Sequence, residues 1–162
     1  MKNKTSLFMV QGALIAALYV VLTLLSSMLG LASMPIQVRF SEALAFLPIF
    51  VPSAIPGLFV GCVISNLITG AVPLDVIFGS LATLIGALGT YLLRNHKKLC
   101  LLPPIIANTL IIPPILVYAY GIEGTLPLFM LTVGLGEVIS CGVLGYIFCG
   151  VFEKYKDKIF RI

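Results

Sequence analysis

The sequence predicts an all-α integral membrane protein with six transmembrane helices and both termini in the cytoplasm. Three observations predict it. Apolar residues make up 60% of the 162-residue chain and charged residues 10%, where a soluble domain carries about 25% charged residues. The mean hydropathy is +1.15. Nine of the ten basic residues fall in three short patches, 2–4, 94–98 and 153–161, each flanking an apolar run. Basic residues so placed orient a membrane protein, so the net charge of +4 is no sign of nucleic-acid binding. At this length the chain is expected to form a single membrane domain, residues 1–162, with the lipid bilayer as its surroundings.

The first apolar span, about 6–28, is too long for the core of a cleavable signal peptide and has no clear small-residue cleavage site. It carries Gly12, Ala13, Ala16 and Ala17, two small-xxx-small pairs that let another helix approach closely, within this chain or from a second protein. Residues 41–72 as one helix would run about 48 Å at 1.5 Å per residue, too long for one crossing. Pro48, Pro52 and Pro56 also interrupt the run. Two spans are therefore expected, about 41–51 and 55–72, the first of them short. Clear spans follow at about 74–94, 99–120 and 126–152, each matched to a hydrocarbon core about 30 Å thick. Gly57, Gly61 and Ser65 in the third span, and Gly79, Thr83, Gly86 and Thr90 in the fourth, are expected to pack within the chain. Pro103-Pro104 and Pro113-Pro114 are expected to break the fifth, with Asn108 midway.

Charge parity selects six spans over five. Only an even count puts Lys2 and Lys4, the Arg94–Lys98 loop and the basic tail on one side, which the positive-inside rule makes the cytoplasm. The opposite ends of the spans then carry Arg39, Glu42, Asp75 and Glu123.

Charge in or beside hydrocarbon is costly and marks candidate function. Glu137 lies about 16 Å into the last span by helical rise. Gly134, Gly136, Ser140 and Cys141 surround it, and the missing side chains suit a ligand cavity. Arg39 and Glu42 stand three apart and can pair across one turn, with Ser41 capping the short second span. Asp75, two residues after Pro73, suits the positive end of the fourth span as a cap or a ligand group. Asn66 and Asn108 are amides suited to reading a heterocycle edge or tying helices together. Glu123 is expected to be a solvated loop charge. One base against four acids favours a cationic or donor-rich ligand. Cys62, Cys100, Cys141 and Cys149 lack a CxxC spacing and are expected to be packing residues. His96 is the single histidine, and no GxxxxGK[ST] occurs. Neither catalytic residues, a metal site, a cofactor nor its own ATP hydrolysis is therefore expected.

Two stretches carry a family resemblance. Ile36-Gln-Val-Arg-Phe-Ser-Glu-Ala-Leu44, followed by Ile55-Pro-Gly-Leu58, Gly61-Cys and Asn66-Leu, is the first. Leu74-Asp-Val-Ile-Phe-Gly-Ser-Leu-Ala-Thr83 is the second. Together they resemble the QueT family of queuosine-precursor transporters over roughly residues 10–150. The resemblance implies a six-helix substrate-binding S-component of an energy-coupling-factor (ECF) transporter. Such a subunit captures its solute outside and docks on a module of a transmembrane coupling protein and two ATPases. It implies an AxxxA docking motif on the first helix, which Ala13 and Ala17 fit, with Gly12 and Ala16 beside them. It also implies a 7-deazaguanine ligand, 7-aminomethyl-7-deazaguanine or queuine. On that reading Glu137 takes the guanine-type edge, Glu42 or Asp75 the ligand amine, and Asn66 and Asn108 the remaining polar atoms. Three alternatives stay open: an S-component for another vitamin or heterocyclic amine, a stand-alone proton-coupled transporter working through Glu137, or a structural membrane protein whose polar groups only join helices.

Overall fold

The computed structural model describes residues 4–31, 36–96 and 99–159, with the side chains of 156–159 excepted. Lys2, Lys97, Lys98 and Arg161, and the side chains of Lys156 and Lys158, on which the charge-parity argument draws, lie outside the described residues. Every regular element among the described residues is helical. Helix α1 spans Lys4–Met28, a 3₁₀-helix Phe40–Ile49, α2 Ala54–Ile68, α3 Pro73–Leu92 and α4 Leu102–Tyr118. The last run is continuous and changes pitch twice: α5 Leu126–Glu137, a π-helical segment Val138–Leu144 and α6 Gly145–Ile159.

Helical segments thus occupy all six places the sequence marks. Among the described residues, only Lys4–Met28, Pro73–Leu92 and Leu126–Tyr155 are long and apolar enough to cross a membrane. The other three fall short of the expected limits, because α2 stops at Ile68 and α4 at Tyr118, giving rods of about 22 and 26 Å. Nor do the prolines break α4. Pro103 and Pro104 open its first turn, where no backbone donor is needed, and Pro113 and Pro114 are carried inside it.

The short second segment owes its reach to pitch. A 3₁₀-helix rises about 2.0 Å per residue, so ten residues cover about 20 Å where an α-helix would cover 15. Its stretch Ser41–Pro48 is buried throughout, because α1, α2, α3, α6 and the π segment all pack against it. Phe46 meets Phe50 and Phe152 edge-on, with centroids 6.1 and 5.1 Å away. This segment is the axis of the molecule.

Around it the helices present apolar side chains outward and bury a mixture of apolar and polar ones. On α1 the buried residues are Ala16, Tyr19, Thr23 and Ser26, spaced along one face, while Met9, Leu14 and Val21 are exposed. Small residues bring the helices together. A Cβ on Gly57 would stand 2.7 Å from the Gly12 carbonyl, and one on Gly61 would stand 2.8 Å from the Tyr19 Cβ. Gly86 and Gly89 of α3 lie against Pro104 and Pro103 of α4 in the same way. The four cysteines are buried.

Candidate functional site

Glu42 is placed by the start of the 3₁₀-helix. The first donors of a helix have no partner within it, and here side chains from two other elements take them. The Phe40 N–H donates to Ser26 Oγ of α1 at 2.8 Å, and the Arg39 N–H donates to Ser140 Oγ of the π segment at 3.1 Å. Ser41 does not cap this helix as expected. The residue before it is Arg39, with no side-chain cap, and the Ser41 hydroxyl is buried without a partner. The backbone at Gln37 passes directly over Gly136, whose missing Cβ is the space the Gln37 carbonyl fills. Gly136 and Ser140 thereby clamp residues 37–39 across the turn that carries Glu137.

Glu42 itself is 3% exposed. It accepts a hydrogen bond from the Tyr19 hydroxyl rather than closing a salt bridge with Arg39. Arg39 is half-buried, with its guanidinium in electrostatic reach of Asp75, Tyr19 and Glu42. Glu137, at the end of α5, is also buried and lies in reach of Glu42 and Arg39. The Asn108 amide of α4 faces both carboxylates, yet its Nδ2 completes no hydrogen bond, and neither does Glu137 Oε2.

Asp75 joins the group from α3. The N-cap of that helix is Val72, with Pro73 in the first turn, so Asp75 is not an ordinary cap. Its Oδ2 accepts from the Tyr120 hydroxyl at 2.9 Å, while Oδ1 is buried without a partner. Gly79, one turn on, lets that oxygen lie close to the helix, since a Cβ there would stand 2.8 Å from it. Asn66 spends its amide donor on the Asp75 carbonyl at 3.3 Å and Cys62 Sγ at 3.7 Å. It ties α2 to α3.

Arg39, Glu42, Asp75, Asn108 and Glu137 therefore converge, with Asn66 supporting Asp75 from outside. Glu123 is exposed in the α4–α5 connection. Sequence reasoning missed Tyr19, Cys62, Thr83 and Tyr120, which surround the charges. The four small residues of α1 divide. Gly12 and Ala16 turn toward α2, whereas Ala13 and Ala17 are exposed on the outer face of α1. Three apolar grooves of about 570, 440 and 260 Å³ open on the outside of the bundle and not on this cluster. The last, lined by Phe8, Gly12, Ala13 and Pro56 among others, runs along the α1–α2 seam.

One arginine thus stands among three buried carboxylates, in a multi-pass protein of the cell membrane. The family model described as QueT transporter matches residues 9–154, so the chain belongs to the QueT transporter family. The queuosine precursor transporter QueT of Lactococcus lactis subsp. cremoris (strain MG1363) is 37% identical over 99 residues, 60% of this chain. The match spans 58% of that relative's length. No solved structure matches the chain.

Proposed function

We propose that this chain is the substrate-capture subunit, the S-component, of an ECF-type importer for a queuosine precursor. The observation that carries this reading is a set of three buried polar atoms around Arg39 that end without partners: Asp75 Oδ1, Asn108 Nδ2 and Glu137 Oε2. Leaving a buried polar atom unpaired costs about 1–3 kcal/mol each, more if charged, and a ligand that supplies donors to the carboxylates and an acceptor to the amide recovers that cost. A 7-deazaguanine carries both on one face. Its ring N–H and exocyclic amine present adjacent donors, its carbonyl accepts, and its aminomethyl arm is cationic near neutral pH.

On this reading Glu137 takes the guanine-type edge and Asn108 the neighbouring carbonyl. Arg39 limits the repulsion among the acids, and either Glu42 or Asp75 receives the amine. The whole chain acts as one membrane domain with its termini in the cytoplasm, and energy comes from a coupling protein and two ATPases. Ala13 and Ala17, exposed on α1, present the small surface that such a partner helix needs.

Calorimetric titration of the detergent-purified chain with 7-aminomethyl-7-deazaguanine, queuine and guanine tests the assignment. Sub-micromolar binding of a deazaguanine supports it. Absence of binding by all three rejects the ligand and leaves the fold as described.

A further inference from the structure

Building on the proposed ligand, we infer that Asp75, not Glu42, receives the ligand's ammonium, and that Tyr120 is the positioning residue that makes Asp75 selective for it. The two carboxylates differ in what already holds them. Glu42 is engaged by Tyr19 and sits with Glu137 and Asn108, so it belongs to the part of the site that reads the planar edge. Asp75, in the first turn of α3 and in electrostatic reach of Arg39, has only one oxygen that accepts a hydrogen bond.

Tyr120 provides the asymmetry. Its hydroxyl donates to Asp75 Oδ2 at 2.9 Å and accepts from the Val72 N–H at 3.3 Å, so the phenol is fixed from both sides. With Oδ2 pinned, the carboxyl plane is set and Oδ1 stays free. That oxygen lies on a residue 4% exposed and packs against Gly79, where there is no Cβ to crowd it. A buried carboxylate held by one oxygen is a preorganised acceptor for a charge-assisted bond, because the cation need not reorient it. Tyr120 is itself 39% exposed, which puts Asp75 at the edge of the buried cluster, where an arm projecting from a planar base would end.

The test compares 7-aminomethyl-7-deazaguanine with 7-methyl-7-deazaguanine, which keeps the ring and loses the amine, in the wild-type chain and in Y120F, D75N and E42Q. The readout is the ratio of the two affinities, which a general loss of folding does not change. Wild type should prefer the amine. Y120F should cut that preference about three- to tenfold, the cost of immobilising one side chain on binding, while binding the methyl compound as before. D75N should abolish the preference, and E42Q should weaken both compounds alike. Equal weakening of both ligands in Y120F, or loss of the preference in E42Q rather than D75N, overturns the inference. Wild type that binds neither compound overturns the ligand reading and this one with it.

Discussion

The Tyr19 hydroxyl of α1 donates to Glu42 of the central 3₁₀-helix, and both residues are at most 3% exposed. A buried carboxylate is costly where its oxygens are unmet, and this bond fastens the axial segment to the first span. Y19F keeps the ring in the core and removes the donor. It should lower stability by about 1.5–3 kcal/mol, the worth of a hydrogen bond to a charged group. Thermal unfolding in detergent would show it as a reduced Tm. An unchanged Tm would mean that Glu42 is held by other groups.

Gly136 sets how closely residues 37–39 approach α5. Any Cβ there meets the Gln37 carbonyl, a backbone atom with no freedom to move aside. G136A should displace the segment that leads into Glu42 and weaken binding of 7-aminomethyl-7-deazaguanine about tenfold or more, while G150A, which meets nothing within 4 Å, should bind as wild type. Titration of the two variants side by side checks this. Equal affinity would show that the 37–39 segment does not position the site.

On α1, adjacent positions should respond in opposite ways. Leucine at Ala13 or Ala17, both exposed, should abolish cellular uptake and leave binding to the purified chain intact. Leucine at Ala16, which is buried against α2, should reduce stability, since overpacking a closed contact costs about 1–3 kcal/mol. Paired uptake and calorimetric measurements separate the two. Loss of binding in A13L would assign that face to internal packing.

Much of this was legible because charge stands out against an apolar chain. Arg39, Glu42, Asp75 and Glu137 announce themselves by cost alone, and three helical elements, the 3₁₀-helix, α3 and α5, bring them together. Their partners were hidden for the same reason. Tyr19, Thr83 and Tyr120 raise little alarm on a hydropathy scale. Tyr19, Thr23 and Ser26 did leave a signal, a polar stripe at 4- and 3-residue spacing on the otherwise apolar α1. Tyr120 left none, because its role depends on how the α4–α5 connection folds back toward Val72. The 3₁₀ pitch of residues 40–49 was equally out of reach: when nearly every side chain is buried, no polar face marks the period. Ser140 and Gly136 could be noted as small, yet their contact with residues 37–39 spans about a hundred positions in sequence.

The central claim is that a buried carboxylate at Glu137 reads a donor-rich base. The most direct measurement is the affinity of the purified chain for 7-aminomethyl-7-deazaguanine before and after E137Q, a change that keeps shape and removes charge. A loss of at least tenfold is expected, since hydrogen bonds to charged groups are worth about 1.5–3 kcal/mol. Tight binding by the wild type that persists unchanged in E137Q would contradict it and remove Glu137 from the site.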